Sequence, residues 1–274
     1  MKAGFELHIY ARTKSKVEDV IGEGAQFHES IKDCVQDCDA VITIVGFPQD
    51  VEEVYFDQGN ILDSAKKGAY LIDMTTTSPQ IAEKIYEEGT KRGFHVMDAP
   101  VTGGDTGAKA GTLSILVGGE KEDYEACMPL FEAMGTNINY QGKAGCGQHC
   151  KLANQIMIAG TLSGVCEALT YAKEQGLDPE VFMKSVATGA AGSKQLDTFG
   201  PKILKDDYAP GFFMKHFIKD MKLALIEANR KGLSLDVLSM VLANYEELEQ
   251  EGYGDLGTQA LMKFYDEEHR NTEE

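Results

Sequence analysis

Two stretches of this chain hold side chains whose types and spacing suit them to chemistry. The first is Gly145-Cys146-Gly147-Gln148-His149-Cys150-Lys151-Leu152-Ala153-Asn154-Gln155. Helical spacing puts Lys151, Asn154 and Gln155 on one face, among the apolar Leu152, Ile156, Met157 and Ile158. A lysine held against apolar neighbours gives up its proton more easily and can exchange protons near neutral pH. A lone helix lysine is normally solvated, so the surrounding structure decides between these readings. The second stretch runs Asp98-Ala99-Pro100-Val101-Thr102-Gly103-Gly104-Asp105-Thr106-Gly107-Ala108-Lys109-Ala110-Gly111-Thr112. Nothing bulky lies from Thr102 to Gly104, so backbone N–H groups there can converge on an anion such as a carboxylate. Taken alone such a run is as often a plain surface loop. Its place at the carboxyl end of a strand, where open α/β sheets take ligands, favours the ligand.

The elements that must position these residues follow from hydrophobic periodicity. Residues 5–10, 40–45, 69–73, 94–97, 113–117 and 138–140 read as strands, and 14–22, the segment opened by Pro48, 78–89 and 122–134 as helices. This alternation predicts a parallel sheet covered by helices. After Gly147 no strand pattern follows. Residues 148–175 predict one long helix, and 178–188, 193–205, 215–231, 235–250 and 257–268 predict five more. A domain boundary therefore falls near 142–147. Gly160-x-x-x-Gly164 would let another helix approach closely. A doubly wound sheet should begin with a strand, a glycine-rich turn and a helix, whereas Lys2-Ala3-Gly4 reads as a helix end closed by glycine. The expectation is a chain that starts inside a βαβ unit.

Composition narrows the partners. The 274 residues carry 44 acidic and 26 basic side chains, a formal charge of −18, which repels phosphate backbones and argues against nucleic acid. The longest uncharged run, 152–166, is shorter than the ~20 apolar residues of a bilayer crossing, and the first residues hold no apolar signal core, so neither a membrane span nor secretion is expected. Six cysteines without a C-x-x-C pair or four-ligand cluster suit free thiols in the cytoplasm rather than disulfides or a metal site.

Three motifs in order carry a family resemblance that extends over essentially all 274 residues. They are Asp98-Ala99-Pro100-Val101-Thr102-Gly103-Gly104 with Gly107-Ala108 and Gly111-Thr112, then Gly145-x-Gly147-x-x-x-Lys151, then Lys219-Asp220-Met221-x-Leu223-Ala224. The chain resembles the β-hydroxyacid dehydrogenases, which include 3-hydroxyisobutyrate dehydrogenase and tartronate semialdehyde reductase, with Thr102 where serine is usual. The resemblance implies a Rossmann-type α/β domain over 1–144, incomplete at its amino end, and an all-helical substrate and dimerisation domain over 145–274. It implies hydride transfer between NADP or NAD and a small 3-hydroxy acid or its semialdehyde in a homodimer or homotetramer. Lys151 would be the general acid/base. Asn154 would orient Lys151 or the substrate, although some relatives place their asparagine where this chain has Gln155, itself a candidate substrate contact. Thr102, Gly103 and Gly104 would hold the substrate carboxylate. Arg12, Thr13, Val45, Gly46, Phe47, Pro48 and Thr76 would contact the cofactor, and Lys219 would reach cofactor or substrate.

No acidic residue ends the 5–10 strand to accept ribose hydroxyls, and Arg12 with Lys14 could pair with a 2′-phosphate, which leans toward NADP; two solvated basic residues at a helix start are the other reading. The family's opening strand and G-x-G-x-x-G loop are expected in a missing piece of roughly 20 residues before what is seen here. Without it the expected cofactor affinity is low. The rival reading is then an inactive dimeric or small-acid-binding remnant. An imine reductase of the same superfamily is a third, which Lys151 opposes because those relatives usually replace that lysine.

Overall fold

The computed structural model describes residues 1–265, which form two compact units dividing after Lys151. In the first, strands β1 (His8–Ile9) and β2 (Gln26–Phe27) make a separate parallel pair. Between them lie a 3-10 turn, Lys14–Lys16, and helix α1, Glu18–Gly22. Helix α2 (Ile31–Val35) follows, with Ser30 Oγ accepting the Asp33 N–H at its start. Then come β3 (Ala40–Thr43), α3 (Pro48–Phe56), α4 (Ile61–Ser64), β4 (Tyr70–Asp73), α5 (Pro79–Lys91) and β5 (His95–Asp98). The unit continues through β6 (Val101–Thr102), α6 (Gly104–Ala110), β7 (Leu113–Gly119), α7 (Lys121–Ala126), α8 (Met128–Glu132) and β8 (Gly135–Gly142).

Strands β3, β4 and β5 are parallel in the order β3-β4-β5-β7-β6, with β8 on β7. Both faces of this sheet are covered, which is why its strands read as continuous apolar runs. Leu71 and Val96 join Val41, Val51, Tyr55 and Ile85 on one face. Their neighbours Ile72 and Met97 join Ile115, Val117 and Phe131 on the other. The expected all-parallel sheet is corrected at its far side: β7 runs antiparallel to both β5 and β6.

Several boundaries differ for local reasons. The strand expected over 5–10 pairs only at His8–Ile9, with Phe5 and Leu7 exposed. The helix expected over 14–22 is a 3-10 turn followed by α1. Two-residue β2 and five-residue α2 are too short to show a period. The helix expected over 122–134 breaks at Cys127, because Pro129 lacks an N–H and its ring crowds the preceding turn. Within the small-residue run the structure holds β6 and α6; α6 buries only Gly107, so no apolar stripe announced it.

Helix α9, Cys146–Glu174, carries the chain past the division. In the second unit follow α10 (Pro179–Val186), α11 (Lys194–Ile203), α12 (Met214–Arg230), α13 (Asp236–Gln250) and 3-10 turns at Tyr253–Asp255 and Thr258–Tyr265. The helix expected over 257–268 is thus a 3-10 turn where described, and 266–268 lie outside the described residues. Helix α9 is long and apolar enough to cross a membrane by length and composition. Its Ala159, Leu162, Cys166 and Leu169, at i, i+3, i+7 and i+10, pack into a core with Phe217, Met221, Val241, Tyr245 and Leu261, which accounts for that apolarity. Gly160 and Gly164 do not bring a helix into close contact: a Cβ at Gly160 would meet Val237 at an ordinary 3.7 Å, and one at Gly164 nothing within 4 Å.

Candidate active site

Register places Thr43, Asp73 and Asp98 in one row at the carboxyl ends of β3, β4 and β5. All three are buried. Thr43 Oγ1 donates to Asp73 Oδ1 at 2.8 Å, and the Thr75 N–H reaches the same oxygen at 3.1 Å. The Val45 N–H in turn donates to Thr75 Oγ1 at 3.0 Å. The turns after β3 and β4, which hold Val45, Gly46, Phe47 and Thr76, are thereby tied together. Burial pushes the Asp73 carboxyl up to about 6 against these bonds and despite its two donors. Pro48 opens α3, where a missing N–H costs nothing, and Asp50 accepts the Phe47 N–H at 2.9 Å. The guanidinium of Arg12, from the segment after β1, donates to Asp50 at 2.6 Å, so Arg12 lies over the first turn of α3. Thr13 is exposed at the start of the 3-10 turn. The structure thus gathers Arg12, Val45, Gly46, Phe47, Pro48 and Thr76 around adjoining strand ends.

The next strand end holds the lysine helix. Asp98 accepts the Gly145 N–H on Oδ1 and the Gln148 N–H on Oδ2, each at 2.8 Å, so a strand side chain supplies the cap that Gly145 itself lacks. The Gln148 carboxamide accepts from the Thr77 N–H at 3.0 Å and donates to the Thr75 carbonyl at 2.8 Å. Glycine is needed for this approach. A Cβ at Gly147 would lie 2.4 Å from the Leu116 carbonyl, and one at Gly118 would lie 2.6 Å from Asp98 Oδ1. Lys151 follows one turn on, only 7% exposed, while His149 is exposed. Thr102 pairs with Ser114 across β6 and β7, and Gly103 and Gly104 then take φ of 131° and 66°, which side-chain-bearing residues rarely adopt.

In the second unit four polar residues form a chain. Asn154 Nδ2 donates to Gln155 Oε1 at 2.8 Å, Gln155 Nε2 to Asp220 Oδ2 at 2.7 Å, and Lys219 Nζ lies 3.0 Å from Asp220 Oδ1. Gln155 is 2% exposed and spends both ends of its carboxamide internally. Asp98, Gln148 and Asp220 lie inside the sequence motifs, but nothing local in the sequence gives them roles. Their partners are distant in sequence, and only the fact that they stand beside glycines or a lysine in those motifs pointed to them. Among the described residues no three His, Cys, Asp or Glu side chains gather as metal ligands would.

Known proteins match the chain over nearly its whole length. Residues 1–142 match the family model of the NAD-binding domain of 6-phosphogluconate dehydrogenase, and residues 145–265 that of the NAD-binding domain of NADP-dependent 3-hydroxyisobutyrate dehydrogenase. The chain is 49% identical over 262 residues to the uncharacterized oxidoreductase YkwC of Bacillus subtilis, covering 96% of this chain and 91% of that protein. It is 35% identical over 234 residues to 2-hydroxy-3-oxopropionate reductase of Escherichia coli, covering 85% of this chain and 80% of that protein. The solved structure of Mycobacterium tuberculosis 3-hydroxyisobutyrate dehydrogenase with L-serine is similar with a TM-score of 0.86 and 25% identity, covering 96% of this chain and 91% of that one. With both halves matched in order and these relatives spanning nearly the whole chain, the protein belongs to the β-hydroxyacid dehydrogenases, oxidoreductases that use NAD or NADP.

Proposed function

We propose that the protein interconverts a small 3-hydroxy acid and its semialdehyde, with Lys151 as the proton-exchanging group. One observation carries this: Lys151 is buried one turn after a helix start that Asp98 and Gln148 fasten to the ends of β4 and β5. The bound nicotinamide supplies or takes the hydride. In the reducing direction the Lys151 ammonium gives its proton to the carbonyl oxygen as hydride reaches the carbonyl carbon; oxidation runs the same steps backwards. Oxidation requires the neutral amine of Lys151 as the base that takes the hydroxyl proton. The N–H groups around Thr102, Gly103 and Gly104 take the carboxylate, which the glycines allow to approach the backbone closely.

The turns after β3 and β4 suit a dinucleotide, because they stand at the carboxyl ends of parallel strands and the buried Thr77 Oγ1 there has no hydrogen-bond partner among the described residues. Arg12, at the rim of those turns, is the group for a 2′-phosphate and favours NADP. Asn154, three residues beyond Lys151 on α9, is held by Gln155, which makes Gln155 a support rather than a substrate contact. Lys219, whose Nζ lies 3.0 Å from Asp220 Oδ1, is the remaining candidate contact for cofactor or substrate. A homodimer formed through the helical unit, in the cytoplasm where its six free thiols stay reduced, completes the reading.

A panel of small aldehydes assayed with NADPH and NADH tests it. Aldehydes bearing a carboxylate two carbons from the oxygen should be reduced with kcat/KM at least about tenfold above matched aldehydes lacking it, since an unpaired carboxylate site costs well over 1.4 kcal/mol. Equal kcat/KM for the two classes would contradict the carboxylate site.

A further inference from the structure

Gln148, in the first turn of α9, has no exposed surface. Its carboxamide is fully engaged across the turn after β4: it accepts from the Thr77 N–H and donates to the Thr75 carbonyl. Thr76, the candidate cofactor contact, is the residue enclosed between these two bonds. On the other side Asp98 holds the Gly145 and Gln148 N–H groups, and Gly147 and Gly118 let the helix start sit directly on the strand backbones. Two hydrogen bonds thus fix the turn that precedes Lys151 to the turn that carries Thr76, and two more fix it to the end of β5. A displacement of about 1 Å between a catalytic group and its target costs as much as 10²-fold in rate. Helix packing alone would tolerate such a shift; a carboxamide bonded at both ends does not.

We propose that Gln148 is a positioning residue that sets Lys151 against the cofactor-bearing turn, with Asp98 anchoring the helix on which both stand. The proposal rests on the reading of Lys151 as the proton-exchanging group. The titratable groups around the bridged segments are Asp73 at the end of β4, Asp98 at the end of β5, Glu83 of α5 beside Gly145, and Cys146, Cys150, Lys151 and exposed His149 in the first turns of α9; Glu167, Lys173 and Glu174 lie toward the far end of α9 and His95 at the start of β5.

Gln148→Met removes both bonds while keeping length. It should lower kcat about 10- to 100-fold, change the NADPH dissociation constant less than about threefold, and raise the primary deuterium isotope effect on kcat as the transfer step becomes limiting. Gln148→Glu supplies a finer readout. Its neutral carboxylic acid reproduces both bonds, whereas its carboxylate cannot donate to the Thr75 carbonyl. The ratio of its kcat to that of the wild type should therefore rise as pH falls, while the ratio for Gln148→Met stays flat. If Gln148→Met does not fold, the pH dependence of Gln148→Glu carries the test alone. A Gln148→Glu ratio that is flat with pH, or a folded Gln148→Met with kcat within about twofold of wild type, would overturn the proposal. Lys151→Met measured alongside separates the two claims: if it keeps its kcat the reading of Lys151 fails, and if it loses kcat while Gln148→Met does not, only the positioning role fails.

Discussion

Asp73 stands under the two turns assigned to the cofactor, and its burial is only partly repaid. One carboxylate oxygen accepts from Thr43 and Thr75, while the other, Oδ2, is buried without a hydrogen-bond partner among the described residues. Its carboxyl is pushed up to about 6, above its unfolded value, so the folded state binds the extra proton between those two values. The stability tied to Asp73 is thus complete at low pH and is lost as pH rises through about 6. Asp73→Asn, which keeps an acceptor for both donors, should raise stability above pH ~7 by up to about 3 kcal/mol and leave it unchanged below pH ~4; urea unfolding at the two pH values checks this. Arg12 invites a functional test. Arg12→Glu removes the partner of Asp50 and opposes a 2′-phosphate, so the ratio of kcat/KM for NADPH to that for NADH should fall at least about tenfold. An unchanged ratio would leave Arg12 as a surface partner of Asp50. Lys151 and the Thr102–Gly104 run were legible as candidates because each lies in one short stretch of chain. The cap that Asp98 provides was not: its partners lie 47 and 50 residues further on, and nothing local to an aspartate names the helix it will hold.

At the scale of elements, the lysine helix and the sheet meet through missing side chains. Gly147→Ala would set a methyl 2.4 Å from a backbone carbonyl that cannot step aside, so it should destabilise the protein by about 1–3 kcal/mol. Gly164→Ala, on the same helix but with nothing within 4 Å, should instead be neutral or stabilising by up to about 1 kcal/mol. Thermal unfolding of the two variants checks the contrast, and equal shifts would show that the junction has room to relax. The central strands were readable as apolar runs and α9 as one long helical pattern, because each buries enough residues to print a period. The β6–α6 segment was not, since a strand of two residues and a helix whose one buried residue is glycine leave no pattern. Strand direction was not legible either: β7 has the same apolar composition whether it runs with β5 or against it.

For the whole molecule, the change from strand-and-helix alternation to helices alone near Gly147 was visible in the sequence, and the structure divides at Lys151, inside the helix that begins there. The proposed chemistry centres on that same lysine. Its direct test is the steady-state reduction of a carboxylate-bearing semialdehyde by the wild type, Lys151→Met, Lys151→Arg and a His149→Ala control, with NADPH binding measured for each. Proton transfer by a positioned group contributes about 10²–10⁴ to the rate, so Lys151→Met should lose about that factor in kcat at nearly unchanged NADPH affinity. Lys151→Arg should fare almost as badly, because a guanidinium does not act as a base at accessible pH. His149→Ala, at an exposed position, should stay close to wild type. A Lys151→Met enzyme with wild-type kcat, or a loss that appears at His149 instead, would contradict the assignment of Lys151.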